Sequence, residues 1–253
     1  MSAVWCRSGR RMRDRIQKTT PLSNRRRPDG CSGHISARAE GGRRRHGGGD
    51  AEVGMLASPL TFADTGVPLS RQRFHFIRHA QSMHNALAES SIGDPMVRDA
   101  PLTDLGHEQA RALQERFCGV DDIELVVISP LTRAIQTALC AFDGHSAPKL
   151  IIDTHREYLD NYCDVGRAPA ELAAEFGMLA FDHLPNPWWY VDSASTAPYE
   201  KEPQDVYARR IEAFALWLKA RPEQRIAVVG HGNFLYRLTG HVFANTEVLV
   251  GEL

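Results

Sequence analysis

The fold is decided by a stretch that follows the first 70 residues and reads Phe74-His75-Phe76-Ile77-Arg78-His79-Ala80-Gln81-Ser82-Met83-His84-Asn85. Its first four residues form a short apolar run, which is typical of a buried β-strand. Three similar runs follow along the chain, and they read Leu125-Val126-Val127-Ile128, Leu150-Ile151-Ile152 and Ile226-Ala227-Val228-Val229. Because these runs are continuously apolar rather than alternating, we expect strands of a parallel sheet that is covered on both faces.

Helical patterns separate the predicted strands. Helices are predicted over residues 104–116, where Thr103 can act as the N-cap, from Pro130 to Ala141, and over residues 205–219. The third helix has apolar residues at helical spacing, which mark its buried face: Tyr207, Ile211, Phe214 and Leu218. Strands that alternate with helices predict one α/β domain over residues 71–253, built as a three-layer sandwich with a mostly parallel central sheet.

The first 50 residues differ in charge from the rest of the chain. They hold 13 Lys and Arg against 4 Asp and Glu, whereas the remaining residues hold 17 against 27. Residues 1–70 also contain few large apolar side chains and no recurring period, so we expect a disordered Arg/Gly-rich extension. Four interpretations stay open: a targeting peptide, a contact for nucleic acid or another anionic surface, an inert tail, or an upstream stretch translated in error.

Composition excludes several classes of protein. No apolar run approaches the roughly 18 residues of a membrane-spanning helix, so no membrane partner is expected. The five cysteines, an odd number without close pairs, predict neither a disulfide framework nor a zinc site. Of the interpretations above, a nucleic-acid contact has weak support and nucleic acid is a disfavoured partner, because aromatic residues apart from Trp5 do not interleave with the basic ones. We expect an intracellular protein, cytoplasmic or organellar if residues 1–70 are a transit peptide; the sequence leaves the oligomeric state open.

Polar residues follow each predicted strand. Arg78 and His79 come after the first run, Ser129 after the second, Glu157 after the third and His231 after the fourth. Ligands of open α/β sheets bind beyond the carboxyl ends of the strands, so we expect these side chains to meet there.

The residue types in this group suit phosphoryl transfer. Arginine forks match phosphate oxygens, a neutral imidazole can attack phosphorus, and a carboxylic acid can protonate a leaving alkoxide. Arg133, in the first turn of its helix, opposes the helix dipole and would be poorly placed without an anion, which favours a binding role. No Asp-x-Asp magnesium set is required or evident, so neither a metal nor another cofactor is expected.

Four segments, in one order along the chain, resemble motifs of the histidine phosphatase, or phosphoglycerate mutase-like, superfamily. Residues 78–85 are similar to its Arg-His-Gly-x-Ser-x-x-Asn motif, and residues 102–110 to its Leu-Thr-x-x-Gly-x-x-Gln-Ala segment. Residues 129–138 resemble Ser-x-x-x-Arg-Ala-x-x-Thr, and Gly230-His231-Gly232 resembles the closing His-Gly. The resemblance covers nearly all of residues 74–253 and implies the phosphoglycerate mutase-like fold.

The resemblance also implies roles for individual residues. His79 would be the nucleophile that becomes phosphohistidine, and the phosphoryl oxygens would be bound by Arg78, Arg133 and His231. Further phosphate or substrate contacts are expected from Ser82, Asn85 and Gly232. One branch of the family takes its proton donor from an Asp directly after the second histidine, and Gly232 at that position excludes this branch.

The other branch uses a Glu after the third strand, which implies Glu157 as the proton donor, with Asp160 or Asp164 as alternatives.

One departure from the motif is Ala80, which stands where the family has Gly, and we expect its methyl group to reduce the room beside the phosphate. Arg167 could contact the non-reacting part of the substrate or form a surface salt bridge. The Pro- and Trp-rich residues 184–190 could cover the pocket or belong to the core.

The predicted activity is metal-independent hydrolysis of a small phosphorylated substrate. Two alternatives stay open, a phosphoglycerate mutase and a non-catalytic module that binds a phosphorylated ligand. The family's mutases resemble one another in a Glu-Arg-x-Tyr-Gly stretch, which this chain replaces by Glu157-Tyr158-Leu159-Asp160-Asn161, and this favours hydrolysis. We expect a bell-shaped pH profile with an optimum on the acidic side of neutral.

Overall fold

The computed structural model describes residues 72–90, 92–117, 122–197 and 199–253. The predicted extension over residues 1–70 lies outside the described residues, so its disorder and its role stay predictions. Within the described ranges, no helix combines the length and the apolar character that crossing a membrane requires.

A central sheet carries all four predicted strands. Within the described part of the chain its strands are β1 (Arg73–Arg78), β2 (Leu125–Ile128), β3 (Lys149–Ile151), β4 (Arg225–Gly230) and β5 (Val248–Gly251). They lie in the order β3-β2-β4-β1-β5; the first four are parallel, and β5 pairs antiparallel with β1. The mostly parallel sheet is therefore confirmed, and β5 is an edge strand that the sequence analysis missed.

Helices cover the sheet. In chain order they are α1 (Met83–Ala88), α2 (Asp104–Phe117), α3 (Thr132–Ala141), α4 (Pro169–Glu175), α5 (Gln204–Lys219) and α6 (Gly232–Thr239). The predicted helices correspond to α2, α3 and α5 and begin or end within two residues of the predicted bounds, whereas α1, α4 and α6 were not predicted.

The core has two halves, one on each face of the sheet. Along β2, Val126 and Ile128 belong to a cluster that includes residues of α2 and α3. Leu125 and Val127 belong to a second cluster, with residues of α5 and α6. Each fully buried aliphatic side chain stabilises the fold by roughly 1.5–3 kcal/mol, which explains why runs that are apolar on both faces form this sheet. The predicted three-layer α/β sandwich is confirmed.

Two side chains anchor the Pro- and Trp-rich residues 184–190 in the core, whereas Pro185, Asn186 and Pro187 between them are exposed. Leu184 and Trp188 are buried in the cluster that contains α2 and α3. The indole Nε1 of Trp188 donates to the backbone oxygen of Arg167 at 2.8 Å. The ring also explains Gly166, since a Cβ there would lie 2.1 Å from Cζ2 of Trp188.

The register of the strands brings the predicted site residues together at the carboxyl ends of the parallel strands. Arg78 pairs with Gly230, and Ile128 pairs with Val229. The residues that follow β1, β2 and β4 are therefore neighbours, and they are His79, Ser129 and His231. The backbone N of His79 donates to the backbone oxygen of Gly230 at 2.9 Å.

Candidate active site

His79 is held as a neutral imidazole with its Nε2 lone pair directed to an arginine. The side chain is 3% exposed. Nδ1 lies 2.7 Å from the backbone oxygen of Ala80, which can only accept, so Nδ1 carries the proton. Nε2 accepts from Nε of Arg133 at 3.2 Å. Burial, and next the charge of Arg133, lower the pKa of His79 well below its usual value, which keeps the ring unprotonated at Nε2.

Arg133 has an anionic partner within the protein, contrary to the expectation that only a ligand would supply one. Its Nη2 donates to Oδ1 of Asp164 at 2.7 Å, and its Nη1 donates to the backbone oxygen of Cys163 at 2.8 Å. The side chain is 3% exposed. A buried arginine at a helix N-terminus is therefore stabilised here by a buried carboxylate, and its Nε still faces the nucleophile.

His231 lies beside His79 and keeps one buried ring nitrogen free. The two ring centroids are 5.2 Å apart. Nε2 of His231 lies 2.7 Å from Oγ of Ser129, whose hydroxyl also accepts a long bond from the backbone N of Leu131 at 3.5 Å. The hydroxyl proton can then point to Nε2, which leaves the ring proton on Nδ1. Nδ1 is buried and has no partner among the described residues, so it can donate to an anion.

Arg78 adds a second guanidinium to the site. Its Nη1 donates to the backbone oxygen of Phe243 at 2.6 Å, while its buried Nε has no partner in the described part of the chain. Burial lowers the pKa of Arg78, although a guanidinium stays charged at physiological pH. A Cβ at Gly232 would lie 3.3 Å from this Nε, so glycine gives the guanidinium its room.

Glu157 binds the N-terminus of α6. Its Oε2 accepts from the backbone N of Asn233 at 3.0 Å, and its Oε1 accepts from the backbone N of Phe234 at 3.0 Å and of Tyr158 at 2.9 Å. Burial, and next the charge of Asp164, raise the pKa of Glu157 to about 7, although the three N–H donors oppose this rise.

A cavity lies beside Arg78 and Glu157. It has a volume of about 250 Å³ and contains both Arg78 and Glu157 in its wall. The rest of its wall comes from α6 and the segment after it: Gly232, Asn233, Tyr236, Val242 and Phe243. An anion bound at Arg78 would therefore lie close to a carboxyl group that can hold a proton.

The structure places Ser82 and Asn85 in the cap of α1. The hydroxyl of Ser82 accepts from the backbone N of Asn85, and Oδ1 of Asn85 accepts from the backbone N of Ser82. Both side chains thus hold the loop after the nucleophile in shape. Asn245, which was not predicted, also holds this loop: its Nδ2 donates to the backbone oxygen of His79 at 2.9 Å and to Oδ1 of Asn85 at 3.4 Å.

The methyl group of Ala80 does not narrow the site in the way the sequence suggested. Ala80 is fully buried in a small apolar cluster with Leu102, Ala110 and Cys140. Its backbone N donates to Oγ1 of Thr137 at 3.0 Å. The methyl group therefore contributes to packing between the nucleophile loop and the helices.

The two aspartates considered as alternative proton donors, and the arginine considered as a substrate contact, form ion pairs within the protein. Asp160 pairs with Lys201 at the surface, and Asp164 pairs with Arg133. Arg167 forms ion pairs with Asp99 at 2.8 Å and with Glu175 at 2.7 Å. Over the described ranges, no group of three or more His, Cys, Asp or Glu side chains could hold a metal ion.

Comparisons with known proteins identify the family of this chain. The family model of the histidine phosphatase superfamily (branch 1) matches residues 74–248. A phosphoglycerate mutase-like protein of Arabidopsis thaliana is 30% identical over 211 residues, which cover 68% of this chain and 75% of that protein. A second Arabidopsis relative, phosphoglycerate mutase-like protein 1, is 28% identical over 208 residues, covering 67% and 71% of the two chains.

Solved structures of phosphatases are also similar. The alpha-ribazole phosphatase of Shigella flexneri has 26% identity and a TM-score of 0.45, with 66% of this chain and 80% of that chain covered. A mycobacterial glucosyl-3-phosphoglycerate phosphatase has 21% identity and a TM-score of 0.47, with coverage of 71% and 92%. The family match over most of the chain supports an enzyme with phosphatase or mutase activity. The resemblance found in the four sequence motifs is confirmed, and the chain belongs to the histidine phosphatase superfamily, branch 1.

Proposed function

We propose that this protein is a metal-independent phosphomonoesterase that acts on a small phosphorylated substrate through a phosphohistidine at His79. The observation that carries the proposal is the neutral imidazole of His79, whose Nε2 lone pair faces the guanidinium of Arg133 at 3.2 Å. Two further buried nitrogens have no partner among the residues that the structure describes, Nε of Arg78 and Nδ1 of His231, and both can donate to the same anion.

In the first step, a phosphoryl oxygen accepts the Nε–H of Arg133 in place of Nε2 of His79, and the freed Nε2 lone pair attacks phosphorus. The Nε2–P bond forms while the bond from phosphorus to the leaving oxygen breaks, and Glu157 gives its proton to that oxygen. Arg78, Arg133 and His231 bind the three equatorial phosphoryl oxygens and stabilise the charge that spreads over them. In this proposal the positive charge comes from the protein alone, with no metal or cofactor.

In the second step, water replaces the imidazole. The Glu157 carboxylate, left unprotonated by the first step, takes a proton from the attacking water. The water oxygen bonds to phosphorus as the Nε2–P bond breaks, which releases inorganic phosphate and restores neutral His79 and protonated Glu157. Atoms and protons therefore balance over the cycle.

Three observations favour Glu157 over Asp160 and Asp164 as the proton donor. Glu157 and Arg78 line one cavity. Asp164 is the ion-pair partner of Arg133, so its carboxylate is committed to a cation. Asp160 pairs with Lys201 at the surface. Ser82, Asn85 and Gly232 enter the proposal as residues that shape the phosphate site rather than as groups that change during the reaction.

The mutase alternative rests on the names of the Arabidopsis relatives, and the non-catalytic alternative rests on binding without turnover. The products discriminate among the three. A hydrolase releases phosphate, a phosphoglycerate mutase interconverts 3- and 2-phosphoglycerate without net release, and a binding module does neither.

The test compares the full chain with His79→Ala, using p-nitrophenyl phosphate and a panel of alkyl phosphate esters. We expect the substitution to lower kcat/KM at least about a thousand-fold, because the nucleophile is lost. Orthovanadate affinity should persist, since the arginines remain. His183→Ala is the matched control, at an exposed histidine whose Nε2 lies 2.8 Å from the backbone oxygen of Ile151 in β3.

Rapid-quench mass spectrometry at alkaline pH should locate the phosphoryl group on His79 during turnover. Unchanged turnover by His79→Ala, or a phosphoryl group found on another side chain, would contradict the mechanism. Isomerisation of phosphoglycerate without phosphate release would instead favour the mutase.

A further inference from the structure

A buried carboxylate that takes no part in the proposed chemical steps binds Arg133. Asp164 ends a short 3-10 turn, Tyr162–Asp164, and is 4% exposed. Its Oδ2 accepts from the backbone N of Asn161 at 3.2 Å, and its Oδ1 accepts from Arg133. The carboxylate is therefore fixed by its own turn while it binds an arginine from α3.

The 3-10 turn sets the orientation of Arg133. Nη1 of this guanidinium is bound by the backbone oxygen of Cys163 at 2.8 Å and Nη2 by the Asp164 carboxylate at 2.7 Å. A planar fork held at both ends has its third nitrogen fixed in direction. That third nitrogen, Nε, is the one that contacts His79, so the position of the phosphate-binding arginine depends on Asp164.

Asp164 also acts on Glu157 through its charge. After burial, it is the largest influence that raises the pKa of Glu157, and Arg133 acts in the opposite direction. Arg78 from β1 and Tyr207 from α5 also interact electrostatically with the Glu157 carboxyl group. Nη2 of Arg210, in α5, donates to the backbone oxygen of Glu157 at 3.2 Å. The N–H groups of α6 complete its surroundings. Among these charged side chains, Asp164 is the one whose charge favours the protonated form of Glu157.

We propose that Asp164 is a positioning residue that serves both steps of catalysis: it orients Arg133 toward the phosphoryl group and favours the acid form of Glu157. This inference rests on the proposed function, since it assigns Arg133 and Glu157 the roles given above. Asp164 thereby links the nucleophile side of the site to the proton-donor side.

The experiment separates charge from hydrogen bonding with two substitutions. Asp164→Asn keeps an oxygen that can accept from Arg133 but removes the charge, and Asp164→Ala removes both. Asp205→Asn is the matched control, because Asp205 lies in α5 and pairs with Arg209 at the surface. Thermal unfolding verifies that each variant is folded.

The first measurement is the pH dependence of kcat/KM for an alkyl phosphate. For Asp164→Asn we expect the alkaline limb to move to lower pH by about one pH unit, because Glu157 loses its proton earlier without a neighbouring negative charge. The titration of the substrate phosphate is common to all variants and cancels in the comparison. With p-nitrophenyl phosphate, whose leaving group needs little protonation, the variant should differ much less from the wild type.

The second measurement is the affinity for orthovanadate, read by calorimetry. Asp164→Ala should bind about tenfold more weakly or worse, because Arg133 loses its anchor, and Asp164→Asn should stay within about threefold of the wild type. This readout does not require turnover. If Asp164→Ala fails to fold, the alkaline limb of Asp164→Asn still decides the inference.

Two results would overturn it while leaving the proposed function intact: an alkaline limb of Asp164→Asn that coincides with that of the wild type, or vanadate affinity unchanged in folded Asp164→Ala. Failure of the proposed function has a different signature, since the wild type itself would then hydrolyse none of the esters. In that case Asp164→Ala with wild-type vanadate affinity would also reject the positioning of Arg133.

Discussion

Glu157 shows how a single residue balances opposed influences. Three backbone N–H donors and a neighbouring arginine favour its carboxylate, whereas burial and the charge of Asp164 favour the carboxylic acid, and the pKa lies near 7. The pKa of His79, by contrast, is held well below its usual value. Neutral His79 and protonated Glu157 therefore coexist over a range that ends at about pH 7 on the alkaline side.

The sign of the pH dependence follows from these two pKa values. As pH rises through about 7, Glu157 loses the proton that the leaving oxygen needs, so kcat/KM for alkyl esters falls. As pH falls through the low pKa of His79, the nucleophile becomes protonated and activity is lost again. We expect the maximum on the acidic side of neutral, measured as kcat/KM between roughly pH 4 and 9.

Glu157→Gln tests which group produces the alkaline limb. Without an ionisable donor, kcat/KM for an alkyl phosphate should fall about a hundred-fold, and the enzyme's part of the alkaline limb should disappear. Hydrolysis of p-nitrophenyl phosphate should fall much less. Glu212→Gln, at an exposed position of α5, is the control and should behave as wild type. A limb that persists in Glu157→Gln would point to Asp160 or Asp164 as the donor.

The site residues that could be predicted from the sequence directly follow strands or stand in motifs. Arg78, His79 and His231 follow buried strands, and the end of a parallel strand is a position that sequence alone can identify. Asn245 could not be found in this way, because its contact with His79 spans 166 residues and depends on how the chain returns after α6. Ser129 was identified as a strand-end residue, but its pairing with His231 required the register of β2 against β4.

At the level of elements, the approach of α2 to the nucleophile loop depends on a glycine. Gly106 lies in the first turn of α2, and a Cβ there would lie 2.1 Å from the backbone oxygen of Gln81 and 3.2 Å from Cβ of Leu102. Backbone cannot give way as a flexible side chain can. The loop that carries His79 therefore packs against a helix that only glycine allows to come so close.

Gly106→Ala should disturb both stability and activity. We expect a loss of about 1–3 kcal/mol in the free energy of unfolding, because the added methyl group forces the helix and loop apart. Since the displaced loop carries the nucleophile, kcat/KM should fall as well. Gly177→Ala is the matched control, because its nearest neighbour would be the backbone oxygen of Ala173 at 3.5 Å, an ordinary contact. Urea unfolding and kinetics on the same samples measure both effects, and equal behaviour of the two variants would contradict this view of α2.

The elements that sequence reasoning missed have weak local signals. Helix α1 has six residues, none of them buried, so it lacks an apolar stripe. Helix α6 begins at Gly232, the last residue of Gly230-His231-Gly232, where glycines suggest a loop. Its first N–H groups are capped by Glu157, which lies 76 residues away in the chain. Strand β5 has four residues at a sheet edge and is half-exposed, so it lacks the continuous apolar burial that revealed the central strands.

At the scale of the whole molecule, charge is divided between a basic beginning and an acidic remainder. The first 50 residues carry a net charge of +9, from 13 basic and 4 acidic residues, and the rest carries −10, from 17 and 27. Every residue assigned to catalysis lies after residue 71. The predicted division into residues 1–70 and 71–253 thus makes a claim about activity that deletion can test.

A protein that begins at residue 71 should retain the catalytic machinery. We expect its kcat/KM for p-nitrophenyl phosphate to stay within about twofold of the full chain at 0.15 M salt, where charges more than about 8 Å apart are largely screened. At 0.01 M salt, where screening extends to about 30 Å, the basic extension of the full chain can attract an anionic ester, so a difference in KM should emerge and fall again as salt is added. A truncated protein that is folded but inactive at 0.15 M salt would contradict the two-part division, because residues 1–70 would then have to supply or complete the site.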